Sequence, residues 1–467
     1  MDAETLSRLQ FAFTISFHFI FPPLSMGLGL MLVVLGLIYV RTRDPKWRRL
    51  SFFWVKVYGL IFALGVATGV VQEFEFGMNW AEYSRFVGNV FGSLLAAEGV
   101  FAFFLEGGFL GLMLFGGNRL GPRLWLFSIV MVVIGAHFSA LWILMANSWM
   151  QTPQGFTVVS DPAPTRAVMT DFWQVVNTPS FIPRLMHVFM ASWTVGAALM
   201  LSVSSWYLLR KRHIDLAKAN LKVALPLFIV FASVNVVIFG ANQAVEVTQN
   251  QPLKLAADEG LWQSESCARM FIVGWVDETT QTTTGISIPC LLSFLAYQDV
   301  NATVAGIDSF APAPIPPINI VFQVYHFMIV MGPALAGIGL LGGLMFLWRR
   351  RLYESRLVLW LLVITVFIGE ATITAGWWTA EIGRQPWIVY NVLLTADGVS
   401  PVVSAADVVF SLGLFVALYV LLFVLFLFLL NRKIQAGPEE LEDVETVAVS
   451  TLPDTFRDIF SRQPRAG

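Results

Sequence analysis

Nine stretches of this chain are apolar over about 20 residues or more, the length an α-helix needs to cross a bilayer. They run roughly over residues 10–40, 51–76, 91–116, 123–149, 181–209, 219–241, 318–348, 356–380 and 405–431. With 57% hydrophobic residues, 13% charged residues and a mean hydropathy of +0.70, an ordinary soluble domain is excluded. The sequence predicts an all-α integral membrane protein, a single domain over 1–436 with nine transmembrane helices. The first run is too long and too aromatic for a secretory leader, so it reads as a span.

The connections alternate in charge. Those following spans one, three, five, seven and nine carry 18 of the 29 basic residues, including Arg41–Arg43, Arg210–Arg212 and Arg349–Arg351, whereas the opposite connections carry five. By the positive-inside rule the N-terminus lies outside and the C-terminus in the cytoplasm. A net charge of −2 gives no support for a nucleic-acid partner. The one long connection, about 242–317, then lies outside and holds both cysteines, Cys267 and Cys290. Two thiols on the oxidising side without CxxC spacing point to a disulfide rather than a metal site. The acidic segment 437–467 lacks a core pattern and reads as a disordered cytoplasmic tail.

Ionisable residues inside such spans are expensive, costing about 2.5–3.5 kcal/mol on insertion scales, and are usually ligands, relays or paired. His18, Glu98 and His187 lie within ~12 Å of the outer edge of their spans, and Glu381 closes span eight at that edge with Trp377 one turn below. Met328 falls ~15 Å into span seven. Five helices thus bring His, Met and carboxylate into one half of the membrane. His with Met on an iron is a low-spin electron-transfer pair, while a lone His or carboxylate leaves an open position. Five histidines with no His-His dipeptide exclude a heme-copper centre, so copper is not expected. Glu98 and Glu106 are eight residues apart, ~80° and ~12 Å on a regular helix, so both can face one bundle interior with Glu106 deeper. Ser139 and Asn147 can continue that polar line. His137 reads as a satisfied core histidine and His213 as a solvated surface one. For His326, packing and a supporting contact stay open.

The motifs GRQPW at 383–387, AGWWTAE at 375–381, LSRLQFAFT at 6–14, GVATGVVQEFEFGMNW at 65–80, FGSLLAAEG at 91–99, FFLEG at 103–107 and SALWILMANSWMQTP at 139–153 occur in one order across residues 5–430. In these the chain resembles subunit I of the cytochrome bd-type quinol oxidases. The resemblance implies a heme-binding bundle that oxidises membrane quinol and reduces dioxygen to water with protons from the cytoplasm, building a gradient without pumping. It implies His187 and Met328 as ligands of a low-spin heme b. It further implies His18, Glu98 and Glu381 at a high-spin heme b and at heme d or a third heme b, with the individual irons unassigned. Glu106 and Ser139 match the proton path, Trp377 the tryptophan between the hemes, Arg8 and Arg384 propionate contacts, and Lys254 and Glu259 quinol-binding positions. The expected partners are a membrane subunit II of related fold, in part of the family a small single-helix subunit, and dioxygen and quinol, in the bacterial cytoplasmic membrane. Two departures stand out. His326 replaces an arginine common in the family two residues before the methionine, and the external loop is short, as in the often cyanide-insensitive branch. The rival reading, a proton- or cation-coupled transporter without heme, predicts internal repeats, and none is evident.

Overall fold

In the computed structural model the described residues are 2–439, apart from 118, 162–163, 311–313 and 349–350, and the side chains of 101–103 are likewise not described. The expected tail therefore lies outside the described residues from 440 onward. Its first three residues are held: Glu439 pairs with Lys56 and Lys433, each at 2.6 Å.

Nine helical spans are present among the described residues: Ala3–Thr42, Pro45–Gly77, Ala81–Phe115, Pro122–Gln151, Phe172–Leu209, Ile214–Asn250, Ile318–Leu347, Arg356–Ile382 and Ala405–Ala436. Their starts follow local chemistry. Asp44 caps the backbone N–H of Lys46, with Pro45 in the first helical position, where its missing N–H costs nothing. Ser404 and Asp407 form a reciprocal capping box at the head of span nine. Span one is broken. Its first helix, Ala3–His18, ends where Pro22 and Pro23 start the second, Phe21–Thr42, because proline cannot donate to a preceding turn. His18 is left on the last turn before the break.

Two spans contain six-residue π-helical segments, Glu98–Phe103 in span three and Asn235–Gly240 in span six. Wide turns of this kind accommodate an extra residue within an α-helix and occur frequently at functional sites. Because the helix resumes beyond the second of these, span six ends at Asn250 and not near 241. The long connection is accordingly 251–317 and not 242–317.

The main core cluster draws on every span and includes Leu28, Met31, Trp54, Tyr58, Met200 and Phe228, all fully buried or nearly so. Spans one and five touch backbone to backbone. A Cβ on Gly27 would stand 2.1 Å from the Ser192 carbonyl oxygen, and one on Gly196 would stand 2.1 Å from the Gly27 backbone, so only glycine fits either position. One end of the bundle carries the connection 251–317 and small two-stranded sheets; we call it the loop end. One sheet pairs Phe156–Val159 with Arg166–Met169, and another pairs Met270–Asp277 with Thr282–Ile288. Cys267 and Cys290 are joined by a disulfide, as the sequence suggested.

Candidate functional site

The loop-end half of the bundle brings together most of the residues singled out in the sequence, and hydrogen bonding separates ligand-like histidines from structural ones. His187 Nδ1 donates to Asn235 Oδ1 at 3.0 Å, and His18 Nδ1 donates to Thr68 Oγ1 at 3.0 Å. Fixing Nδ1 in this way sets the tautomer and leaves the Nε2 lone pair as the ligating atom. His137 is different: Nδ1 donates to the Val133 carbonyl at 2.8 Å and Nε2 accepts from Trp193 Nε1 at 2.9 Å. Both nitrogens are used, so His137 is the core histidine its sequence context indicated. His326 donates from Nδ1 to the Phe322 carbonyl at 2.8 Å, stacks on the Phe322 ring at 3.9 Å, and places Nε2 3.7 Å from Glu259.

Each ligand-like side chain lies against a glycine. A Cβ on Gly69 would stand 3.0 Å from His18 Cε1, one on Gly240 would stand 3.4 Å from His187 Cε1, and one on Gly376 would stand 2.7 Å from Met328 Sδ. These hollows, on spans two, six and eight, leave room at the donor atoms that a larger residue would fill. Next to Gly376, the Trp377 indole stacks on Phe19 with centroids 5.4 Å apart, and Phe19 follows His18 in the chain. An aromatic pair thus links the Met328 side of the site to the His18 side.

Span four forms the wall shared by the carboxylates. Ser139 Oγ donates to Glu98 at 2.5 Å, whereas Asn147 Nδ2 donates to Glu381 at 2.8 Å and Gln151 Nε2 lies 3.4 Å from the same oxygen. The polar line read along this span therefore serves two acids. Arg384 pairs closely with the other oxygen of Glu381. Glu106 is buried one helical stretch deeper, where Tyr58 donates to it at 3.3 Å, and Gly135 permits the approach, since a Cβ there would stand 2.9 Å from that of Glu106.

Arg8 faces Glu4 at 3.9 Å on a partly exposed surface, one turn away on its own helix. The buried guanidinium that sequence reasoning missed is Arg184, one turn before His187. Its Nε and Nη2 lack partners, as do Nε and Nη1 of Arg384. Its position one turn from a candidate ligand on an otherwise apolar span was the available signal. Within the connection 251–317, Lys254 and Glu259 stand on structured backbone. They belong to the short helix Pro252–Asp258 and its cap, which packs into the bundle and buries both. Lys254 Nζ donates to Gln151 Oε1 at 3.1 Å and to the Ala380 carbonyl at 2.9 Å, which joins it through Gln151 to the Glu381 network. Burial lowers the Lys254 ammonium pKa and raises that of the neighbouring Asp258 carboxyl, and it pushes Glu259 up to about 8 against the opposing hydrogen bond from Tyr325.

Two imidazoles with free Nε2 atoms, a thioether in a glycine hollow and two fixed carboxylates, all between apolar helices, form a donor set suited to iron in a membrane bundle. The family model described as cytochrome bd terminal oxidase subunit I matches residues 6–438, and the chain belongs to that family. It is 36% identical to cytochrome bd ubiquinol oxidase subunit 1 of Bacillus subtilis, over 97% of this chain and 98% of that protein. It is 32% identical to cytochrome bd-II ubiquinol oxidase subunit 1 of Escherichia coli, over 94% and 98% respectively. The fold superposes on the bd oxidase structure from Geobacillus thermodenitrificans with a TM-score of 0.87 and 27% identity, covering 94% of this chain and 99% of that one. The chain is thus a multi-pass membrane subunit of a heme-containing terminal quinol oxidase.

Proposed function

We propose that this chain is the catalytic subunit of a quinol:dioxygen oxidoreductase that takes protons for dioxygen reduction from the cytoplasm and drives no separate pump. His187 and Met328 would hold a low-spin heme b. His18, Glu98 and Glu381 would serve a high-spin heme b and a heme d or third heme b, without copper. Arg184 and Arg384, which have unpaired N–H groups, would bind propionates together with Arg8. When bound, the hemes carry electrons from quinol and hold dioxygen while it is reduced.

The protein's own residues supply position and protons. Asn235 and Thr68 fix the imidazoles, and the Trp377–Phe19 pair closes the space between the two halves of the site. Lys254 and Glu259 would receive the quinol head, with Glu259 accepting a proton and Lys254 orienting a hydroxyl. Glu106, held by Tyr58, and Glu98, held by Ser139, would pass protons along span three. With the basic connections in the cytoplasm, the loop end faces outward, so quinol protons leave on one side and oxygen-reducing protons arrive from the other. A subunit II of related fold would complete the complex.

What supports this reading is that the Nδ1 of His187 is anchored on Asn235, leaving Nε2 as the ligating atom, and that the sulfur of Met328 lies in the Gly376 hollow. The test is a reduced-minus-oxidised spectrum with pyridine hemochrome analysis of the purified complex. We expect b-type bands and loss of the low-spin component in His187→Ala and Met328→Leu. A normal low-spin spectrum in both variants would overturn the ligand assignment.

A further inference from the structure

The hairpin Met270–Asp277/Thr282–Ile288 has two unlike faces. The inner face, with Phe271 and Val276 buried, lies on span seven: Gln323 Nε2 donates to the Gly274 carbonyl at 2.9 Å, and the Val276 N–H donates to Asn319 Oδ1 at 3.3 Å. A Cβ on Gly274 would stand 3.1 Å from the Phe322 ring, so the strand lies directly on the helix. The outer face is apolar and exposed: Val273 at 63%, Trp275 at 61%, Ile286 at 73% and Ile288 at 46%. Val273 and Ile286 are register partners, so these side chains form one patch and not scattered positions. By contrast, the turn that joins the strands is polar and exposed at Thr279, Thr280 and Gln281.

The depth of this patch follows from its contacts. Span seven has 30 residues, about 45 Å of helix, against a hydrocarbon core of about 30 Å. Its first two turns, where Asn319, Phe322 and Gln323 hold the hairpin, therefore fall in the headgroup layer. On the same span Ile320 and Phe327 are also exposed, at seven-residue spacing. A tryptophan among branched aliphatics at that level has the composition of an interfacial anchor.

We infer that the outer face of this hairpin is a membrane-contact surface, seated in the boundary between lipid headgroups and acyl chains, with its polar turn left in water. The occupant is lipid, since the patch carries no charged residue and its contacts with the first turns of span seven set it at the depth of the headgroup layer. The inner face covers Phe322, which stacks on His326 beside Glu259, so the anchor holds the cover over that buried carboxylate at the level of the membrane surface.

The test uses the complete complex in lipid nanodiscs, with a nitroxide attached in separate variants Trp275→Cys, Ile286→Cys and Thr280→Cys. Both native cysteines of this chain are in the disulfide, and the unsubstituted complex gives the labelling background. Collision rates with dissolved oxygen, which concentrates in lipid, and with a water-soluble nickel chelate report depth. At 275 and 286 oxygen collisions should exceed chelate collisions, with the order reversed at 280. Chelate access at 275 and 286 equal to that at 280 would place the face in water and overturn the proposal. Low access to both reagents at 275 and 286 would place it under another subunit and would overturn it equally.

Discussion

Replacing Gly376 by alanine tests the ligand assignment more sharply than removing the ligand. The added methyl carbon would lie 2.7 Å from Met328 Sδ, 0.7 Å inside the 3.4 Å at which ordinary contact begins. The sulfur belongs to a flexible side chain, so the helix pair survives at an overpacking cost of about 1–3 kcal/mol. A metal–ligand bond, however, tolerates only about 0.2 Å of displacement. A shift more than three times that size removes Met328 from bonding distance while His187 stays in place. The expected result is a complex that inserts and retains its heme. Its low-spin signal should convert in large part to high-spin, and its midpoint potential should fall, because the methionine partner raises it. Gly332→Ala on span seven serves as control, since a Cβ there meets only Val236 at 3.5 Å. Redox-titrated difference spectra decide the matter. An unaltered low-spin band and potential in Gly376→Ala, with full heme content, would refute both the hollow and the role of Met328.

Three further outcomes are expected. Glu106→Gln should slow dioxygen uptake by about 10²-fold, the lower end of what one positioned proton carrier contributes, while stopped-flow reduction of the hemes stays normal; wild-type turnover would make Glu106 a structural acid. Since burial holds the Glu259 carboxyl up to about 8, the group is mostly protonated at neutral pH and gains acceptor character as pH rises. Quinol kcat/KM should therefore climb toward pH 8 and level off above it, and Glu259→Gln should flatten that profile; an identical profile in the variant would remove Glu259 from the proton step. Serine at both Cys267 and Cys290 should lower the stability of the loop-end segment by about 3 kcal/mol in the chain-entropy model for a closure of 23 residues, read as faster proteolysis between 251 and 317, and protection equal to wild type would contradict it.

The spans were legible because a bilayer admits few solutions, so length and hydropathy alone located all nine helices. The ligand candidates were legible because a polar atom in such a helix is costly. What sequence could not supply was the second layer of contacts. Asn235 is 48 residues from His187 and Thr68 is 50 from His18, and neither stands out among neighbours that only pack. The burial of Lys254 depends on a seven-residue helix too short to announce itself in a loop.

The π-helical segment in span three alters the geometry of the proton route. On an unbroken α-helix the eight residues from Glu98 to Glu106 would turn the second acid about 80° away from the first. A π turn absorbs roughly one residue, which leaves about seven α-helical steps and a net angle of about 20°. The partners on span four agree: Ser139 meets Glu98 and Gly135 meets Glu106, and these are one turn apart on a single face. The wide turn therefore works as a phase correction that lines two carboxylates along one wall. Deleting a single residue between 99 and 103 would let this stretch revert to a regular α-helix of seven steps with the acids still about 20° apart, whereas straightening the π turn at full length would open the angle to about 80° and point Glu106 away from both Tyr58 and Gly135. The spacing between the acids carries information that a hydropathy plot does not register.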